Sequence, residues 1–200
     1  KVTEQKVLSA HRDATRKRIA EHTVALCIQD TTEIDFTGRK LKGAGPLSVP
    51  ERIGFFNHVT LAVTPERLCL GVLDASVWAR DFEDLNKNDK RKQKPIEEKE
   101  SHRWLEGYRK LCDLSEQLPG TMLVSISDRE GDIYECFLEA ARMEGCRRVE
   151  YVIRGCQDRS LPEKLEDGCY KKLMEEVSEK PVLERWNSNS PKQRNVPPEG

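Results

Sequence analysis

Apolar positions along this chain change period several times, and each change marks a new element. From about residue 5 to 22, Val7, Leu8, His11, Ala14, Thr15 and Ile19 share one face of a helix, with basic residues opposite. Val24 to Gln29 is a short apolar run that reads as a strand and gives way to polar residues at Asp30. A loop punctuated by Gly38, Gly43, Gly45, Pro46 and Pro50 follows. His58 to Val63 and Leu68 to Leu73 read as two strands, joined through Thr64-Pro-Glu-Arg67, which has the length and proline placement of a hairpin loop. Ser76 to Ala79 extends the sheet. Helical spacing returns from Glu98 to Leu118: Trp104, Tyr108, Leu111, Ser115 and Leu118 recur at threes and fours, and Leu105 and Cys112 widen the face. Pro119-Gly120 stops this helix.

Met122 to Ser127 is nearly continuous in apolar residues, the pattern of a strand buried on both faces. Asp132 to Glu144 reads as a helix with Ile133, Phe137, Ala140 and Ala141 inward, and Val149 to Arg154 as the next strand. Lys164 to about Glu179 is expected to be helical, and the remainder is polar and proline-containing. This order predicts an α/β fold with a mixed sheet. The first three strands are closely connected and antiparallel, and helical crossovers then add parallel strands. Ligands collect at the carboxyl ends of the central strands of such sheets.

Asp30 and Asp128 each stand where a core strand ends. Carboxylates on neighbouring strand ends suit a hard divalent cation, which prefers oxygen ligands. In two-metal phosphoryl transfer the ions lie about 3.5–4 Å apart, so one carboxylate must bridge them. Asp30 suits the bridge and Asp128 a single ion, with Glu33, Asp35, Glu130 and Asp132 as spare acids. The same residues also fit purely structural roles. Ser127-x-x-Glu130 and Asp132-x-x-Glu135 match a helix capping box, and Asp30-Thr31-Thr32 matches a polar turn. Asp128-Arg-Glu-Gly-Asp132 is not an EF-hand loop, because its glycine and acids fall at the wrong positions.

Charged residues make up 34% of the chain, yet the net charge is only −1, so a nucleic-acid binder would have to segregate its charge into patches. Two basic blocks qualify: Lys87 to Lys94, centred on Lys90, Arg91 and Lys92, and Arg12, Arg16, Lys17 and Arg18 on the first helix. A solvated surface is the competing reading of both. The seven cysteines form no C-x-x-C pair, and the four histidines do not accompany them at zinc spacing. Reduced thiols in a cytoplasmic protein are therefore expected, and no apolar stretch is long enough to suggest a membrane partner. Beginning at Lys1 rather than Met, the chain reads as part of a longer protein.

Four blocks, in order, resemble those of a known family. Leu26-Cys-Ile-Gln-Asp-Thr-Thr-Glu-Ile-Asp-Phe36 resembles the first catalytic block of the Asp-Asp-Glu transposases, and most closely the bacterial insertion-sequence group typified by the Tn-five transposase. Glu98-Lys-Glu-Ser-His-Arg-Trp104 resembles its E-K-E-S-x-x-W helix start. Ser127-Asp-Arg-Glu-Gly-Asp-Ile-Tyr134 resembles its second catalytic block, and Val152-Ile-Arg-Gly-Cys-Gln-Asp-Arg159 the basic strand end that comes next. Together the blocks span roughly residues 5–185.

The resemblance implies a ribonuclease-H-like catalytic core over 5–160 and the start of a β-rich insertion over 161–200. It assigns Asp30 and Asp128 as the first two metal-binding aspartates, for Mg2+ or Mn2+, and gives Arg154 a phosphate contact, with a snorkelling strand-end arginine as the alternative. His58 falls where the family often carries histidine, although a satisfied core histidine fits it better. Trp78 and Trp104 read as packing residues, and Trp186 as a DNA contact only by analogy with an aromatic that holds a flipped base. The family's third block, Y-x-x-R-x-x-x-E on a helix, is expected beyond Gly200. Tyr151-Val-Ile-Arg-Gly-Cys-Gln-Asp158 is a near-match, but it is a β-branched strand and offers Asp for Glu. The implied activity of the intact protein is metal-dependent strand cleavage and strand transfer at transposon ends. Its partners would be double-stranded DNA and a second subunit, and these residues alone would be inactive. The alternatives are a non-catalytic DNA- or protein-binding remnant of a decayed element and a host ribonuclease-H-like nuclease.

Overall fold

A computed structural model of the chain describes residues 3–49, 51–83, 94–142 and 149–181. Lys90, Arg91, Lys92, Cys146 and Trp186 lie outside the described residues. The chain forms two compact units, one running through Cys156 and one from Gln157 onward.

The first unit opens with α1 (Glu4–Ile19), capped by the Thr3 hydroxyl, which accepts from the Lys6 N–H. Strands β1 (Val24–Asp35), β2 (Gly45–Pro46), β3 (Ile53–Val63) and β4 (Cys69–Trp78) come next. A 3-10 turn (Ile96–Glu98) leads into α2 (His102–Glu116), and then come β5 (Met122–Ser127), a second 3-10 turn (Arg129–Gly131), α3 (Tyr134–Arg142) and β6 (Glu150–Ile153). The fold is α/β with a mixed sheet: β4 and the short β2 pair with β3, and β1, β5 and β6 continue in order. β1 to β4 pair antiparallel, whereas β1–β5 and β5–β6 are parallel.

Three strands are longer than the apolar runs that predict them. β1 does not stop at Gln29. Its parallel ladder with β5 ends at Gln29↔Ser127, but its antiparallel ladder with β3 continues from Asp30↔Val59 to Asp35↔Gly54. Backbone pairing with β3 needs no apolar side chains, so the strand outlasts its hydrophobic pattern. β3 likewise begins at Ile53, and the two runs around Asp74 form the single strand β4. Asp74 is tolerated there because Arg12 and Lys110 both pair with it.

α1 closes the outer edge of β4. Two register shifts bulge this strand, and Gly71, at φ +132, lets the helix approach. A Cβ at residue 71 would lie 2.3 Å from the Thr15 hydroxyl. His11 Nε2 accepts from the Val72 N–H at 3.0 Å, and Arg18 Nε donates to the Leu70 carbonyl at 2.5 Å. Arg16 binds Gln117 at 2.7 Å. Arg12, Arg16 and Arg18 are thus bonded within the molecule, while Lys17 is exposed.

One face of the sheet carries the core. Ile19, Ala25, Cys27, Ala62, Leu111, Leu123, Ala140 and Val149 meet there, and the Tyr108 hydroxyl donates to the Val149 carbonyl at 2.9 Å. α3 buries Cys136 and Ala140, while Ala141, expected inward, is exposed. Strand alternation places Leu26, Ile28, Val59, Leu61 and Ile126 on the second face, all only partly buried. On that face Met122 is 45% and Val152 58% exposed, so the double burial expected of β5 is confined to its middle.

In the second unit, β7 (Ser160–Lys164) and β8 (Tyr170–Lys172) form a hairpin, after which comes the short helix α4 (Leu173–Ser178). The helix expected from Lys164 is therefore realised only in its last third. Asp167-Gly168 is the reason: Gly168 adopts φ +83, and Asp167 accepts from the Cys169 N–H, which makes a tight turn. Asp158 caps α4 by accepting from the Met174 N–H at 3.0 Å.

Candidate functional site

Three adjacent strands bring Asp30, Asp128 and Arg154 into one row, one residue past the end of their parallel ladders. Gln29 is opposite Ser127, and Ser127 is opposite Ile153, so the next residue of each strand stands beside its neighbours. The Arg154 N–H donates to the Ser127 carbonyl at 3.1 Å, which holds this register one step past β6. All three side chains belong to exposed residues, and alternation puts them on the second, partly apolar face.

Local bonds orient both carboxylates. Asp30 Oδ1 accepts from the Thr31 N–H at 2.8 Å. Asp128 Oδ1 accepts from the Glu130 N–H at 2.8 Å and caps the Arg129–Gly131 turn, so Asp128 rather than Ser127 is the cap. Gly131 is required in this turn, because a Cβ there would lie 2.2 Å from Ser127 Oγ. Asp132 is 6% exposed, and its Oδ2 accepts from the Cys156 N–H at 2.6 Å. It thereby ties the Asp128 turn to the segment just after Arg154.

The remaining acids divide into two groups. Glu33 accepts from the Ser48 N–H at 2.8 Å and pairs with Arg52 at 3.3 Å, and these contacts lower its pKa. Asp35 accepts from the Thr37 hydroxyl and N–H and pairs with Arg52 at 2.9 Å, which brings it down to about 2. Both anchor the loop after β1. Glu130 behaves in the opposite way. Desolvation raises its pKa, and the negative charges of Asp128 and Asp30 push it further. Arg129 and Arg80 oppose that push. Among the described residues, no three His, Cys, Asp or Glu side chains converge on a ready-made metal centre. Asp30 and Asp128 nevertheless offer what a hard cation takes, carboxylates on neighbouring strands.

A cleft of about 490 Å³ opens on the Thr31 side of β1, with Glu33, Arg80, Glu100 and Glu130 among its walls. The Glu98–Trp104 block explains its shape. Glu100 binds the Arg80 guanidinium through two bonds of 2.7 Å, and Arg80 lies over the Phe56 ring at 4.1 Å. Trp78 stacks on Phe56 at 5.4 Å, with Arg103 over it at 3.5 Å. Trp104, 5% exposed, meets the His58 imidazole edge-to-face at 4.6 Å. Both tryptophans pack, as expected.

Behind Asp30, on the covered face, runs a buried polar chain that the sequence alone does not reveal. Gln29 Nε2 donates to Ser125 Oγ at 3.0 Å, and Gln29 Oε1 faces His58 Nε2 at 3.3 Å. His58 Nδ1 lies 2.9 Å from the Thr31 hydroxyl. The Gln29 oxygen can only accept, so Nε2 carries the imidazole proton and Nδ1 accepts from Thr31. Burial, then the positive charge of Arg103, holds the His58 pKa down at about 4, so the ring is neutral at physiological pH. The one available signal was polar residues at alternate, core-facing positions of two strands: Gln29 and Thr31, and His58 and Thr60.

No protein-family model matches this chain, and no curated protein matches it. Among the described residues, no helix is long and apolar enough to cross a membrane.

Proposed function

We propose that this chain is part of the catalytic core of an Asp-Asp-Glu DNA transposase, built on a ribonuclease-H-like fold. The observation that carries the reading is the side-by-side placement of Asp30 and Asp128 where the parallel β1–β5 ladder ends. The strand order supports it, since antiparallel β4, β3 and β1 continue into parallel β5 and β6. So does the placement of residues from the four sequence blocks within the first unit: two blocks carry the aspartates, one packs Trp104 under His58, and one carries Arg154.

Asp30 and Asp128 would hold Mg2+ or Mn2+. Bound there, the metal would supply charge neutralisation and Lewis-acid activation at a phosphodiester. Arg154 would add a planar cation suited to a phosphate beside the carboxylates. Asp132 and Gly131 fix the Asp128 turn, and the ladder with β3 holds β1 at Asp30 along one edge. The family's third acid, a glutamate on a later helix, would reach the row over the partly exposed apolar face formed by Leu26, Ile28, Ile126 and Val152. The intact protein would act on double-stranded DNA as a homodimer, cleaving transposon ends and joining them to target DNA.

Manganese titration monitored by amide NMR tests the site. Selective broadening is expected at Thr31 and Glu130, lost in Asp30→Asn and in Asp128→Asn but retained in Asp35→Asn. Broadening that survives both site variants sinks the assignment. With Mg2+ and DNA, residues 1–200 alone should show negligible strand cleavage, and end-specific nicking abolished by Asp30→Ala would disprove the need for a later glutamate. Hydrolysis of RNA–DNA hybrids without end preference would favour a host nuclease. In the gene, an in-frame Y-x-x-R-x-x-x-E helix after Gly200 supports the enzyme, and an early stop codon the remnant.

A further inference from the structure

At Asp30, β1 has lost its partner on one side. The parallel ladder with β5 has ended at Gln29↔Ser127, and only β3 still pairs with the strand. A strand paired along one edge is free to twist about that edge. Any ion shared by Asp30 and Asp128 nevertheless needs their spacing held across the unpaired gap. The backbone does not supply that restraint.

We infer that His58 is a positioning residue for Asp30, because the buried chain Ser125–Gln29–His58–Thr31 grips both residues that flank Asp30 from the opposite face of the sheet. The inference rests on the reading of Asp30 as a metal-holding carboxylate. Gln29 and Thr31 point away from the site, and each is bonded to His58, from β3. Gln29 also reaches across to Ser125 in β5, the strand that leads to Asp128. The chain therefore spans all three strands at the level where the β1–β5 ladder stops.

Its surroundings allow little slack. Gln29 is 3%, and His58 and Ser125 are each 5%, exposed. Trp104 presses on the imidazole. One turn further along the same helix, a Cβ at residue 107 would come within 2.0 Å of Gln29 Oε1, so any side chain there would have to displace the carboxamide. Buried polar groups are costly unless fully bonded, and apolar residues would fill the same space at lower cost. A satisfied polar chain fixes one arrangement where an apolar cluster would tolerate several.

The test compares two amides in 15N-labelled protein, Thr31 beside Asp30 and Glu130 beside Asp128, during titration with Mn2+ alone. In wild type both should broaden together. In His58→Leu, broadening at Thr31 should fall several-fold while Glu130 still responds, and His58→Gln, which keeps a donor and an acceptor, should recover part of the loss. Thr31→Val removes one bond of the chain without altering the packed core and should act in the same direction, so the test survives if His58→Leu fails to fold. Equal loss at both amides, or no change at either, overturns the inference. Amide exchange in metal-free protein gives a second readout. Thr31 should exchange several-fold faster in both variants relative to Ala25, and unchanged exchange overturns the grip. If wild type shows no broadening at either amide, the reading of the aspartates fails, and exchange still decides whether the chain holds the strand.

Discussion

His58 shows how one buried side chain makes stability depend on pH. Its pKa falls from 6.5 to about 4, first through burial and then through the positive charge of Arg103. The unfolded chain therefore takes up the proton first as the solution is acidified. The stability contributed by neutral His58 is complete above about pH 6.5 and is lost as pH falls toward 4. The urea midpoint of wild type should drop across this window, and the drop should be shallower in His58→Gln. Gly107 tests the same region sterically. Gly107→Ala should destabilise the protein by about 1–3 kcal/mol, because the new methyl displaces the Gln29 carboxamide from its bonds. Equilibrium denaturation measures that loss, and a change within error would mean that Gln29 has room to move.

Among the elements, the first helix acts mainly as an edge guard. A bulged outer strand exposes backbone donors and acceptors that could pair with another chain. α1 meets this with side chains: His11 for the Val72 N–H and Arg18 for the Leu70 carbonyl. In His11→Ala, the Val72 amide should exchange faster with solvent than its neighbours in β3, as read by hydrogen-exchange NMR. Gly71→Ala should do more, since it combines a φ of +132 with a contact of 2.3 Å to Thr15. A loss of about 1–3 kcal/mol is expected, with helix exchange rising first over α1. Protection that stays uniform across α1 and α2 would show that the edge contact does not anchor the helix.

Over the whole molecule, the break between Cys156 and Gln157 separates two bodies with their own internal contacts. The Asp132–Cys156 bond closes the first body just before the break, so the last strand of that body is anchored from within it. Limited proteolysis should cut near residues 157–159 and leave a fragment with the amide spectrum of the sheet unchanged. Loss of dispersion in that fragment would show that the second unit is needed for the first to fold. The row of Asp30, Asp128 and Arg154 lies wholly within the first unit, so its Mn2+ response should survive the cut.

Element order in the first unit and the two aspartates at the ends of apolar runs were legible in the chain before any contact was known, whereas the β7–β8 hairpin was not. Periodicity carries that information, because burial of one face is repeated every few residues and can be read locally. It also located α2 and β5 closely, where the apolar pattern is continuous. The role of each polar residue, by contrast, was settled by tertiary contacts. β1 runs on through Asp35 because β3 offers a ladder, and no local pattern marks that. Arg12 finds Asp74 from 62 residues away, Asp132 finds the Cys156 N–H from 24, and Arg52 reaches Asp35 from 17. Such pairings depend on which strands become neighbours and on the direction of each side chain, neither of which leaves a period in the sequence. Nothing local in α1 shows that Arg12 and Arg18 bond to β4. The same fold bonds Glu33 and Asp35 to Arg52 and Asp132 to the Cys156 N–H, and sets Asp30 and Asp128 just past the end of the β1–β5 ladder.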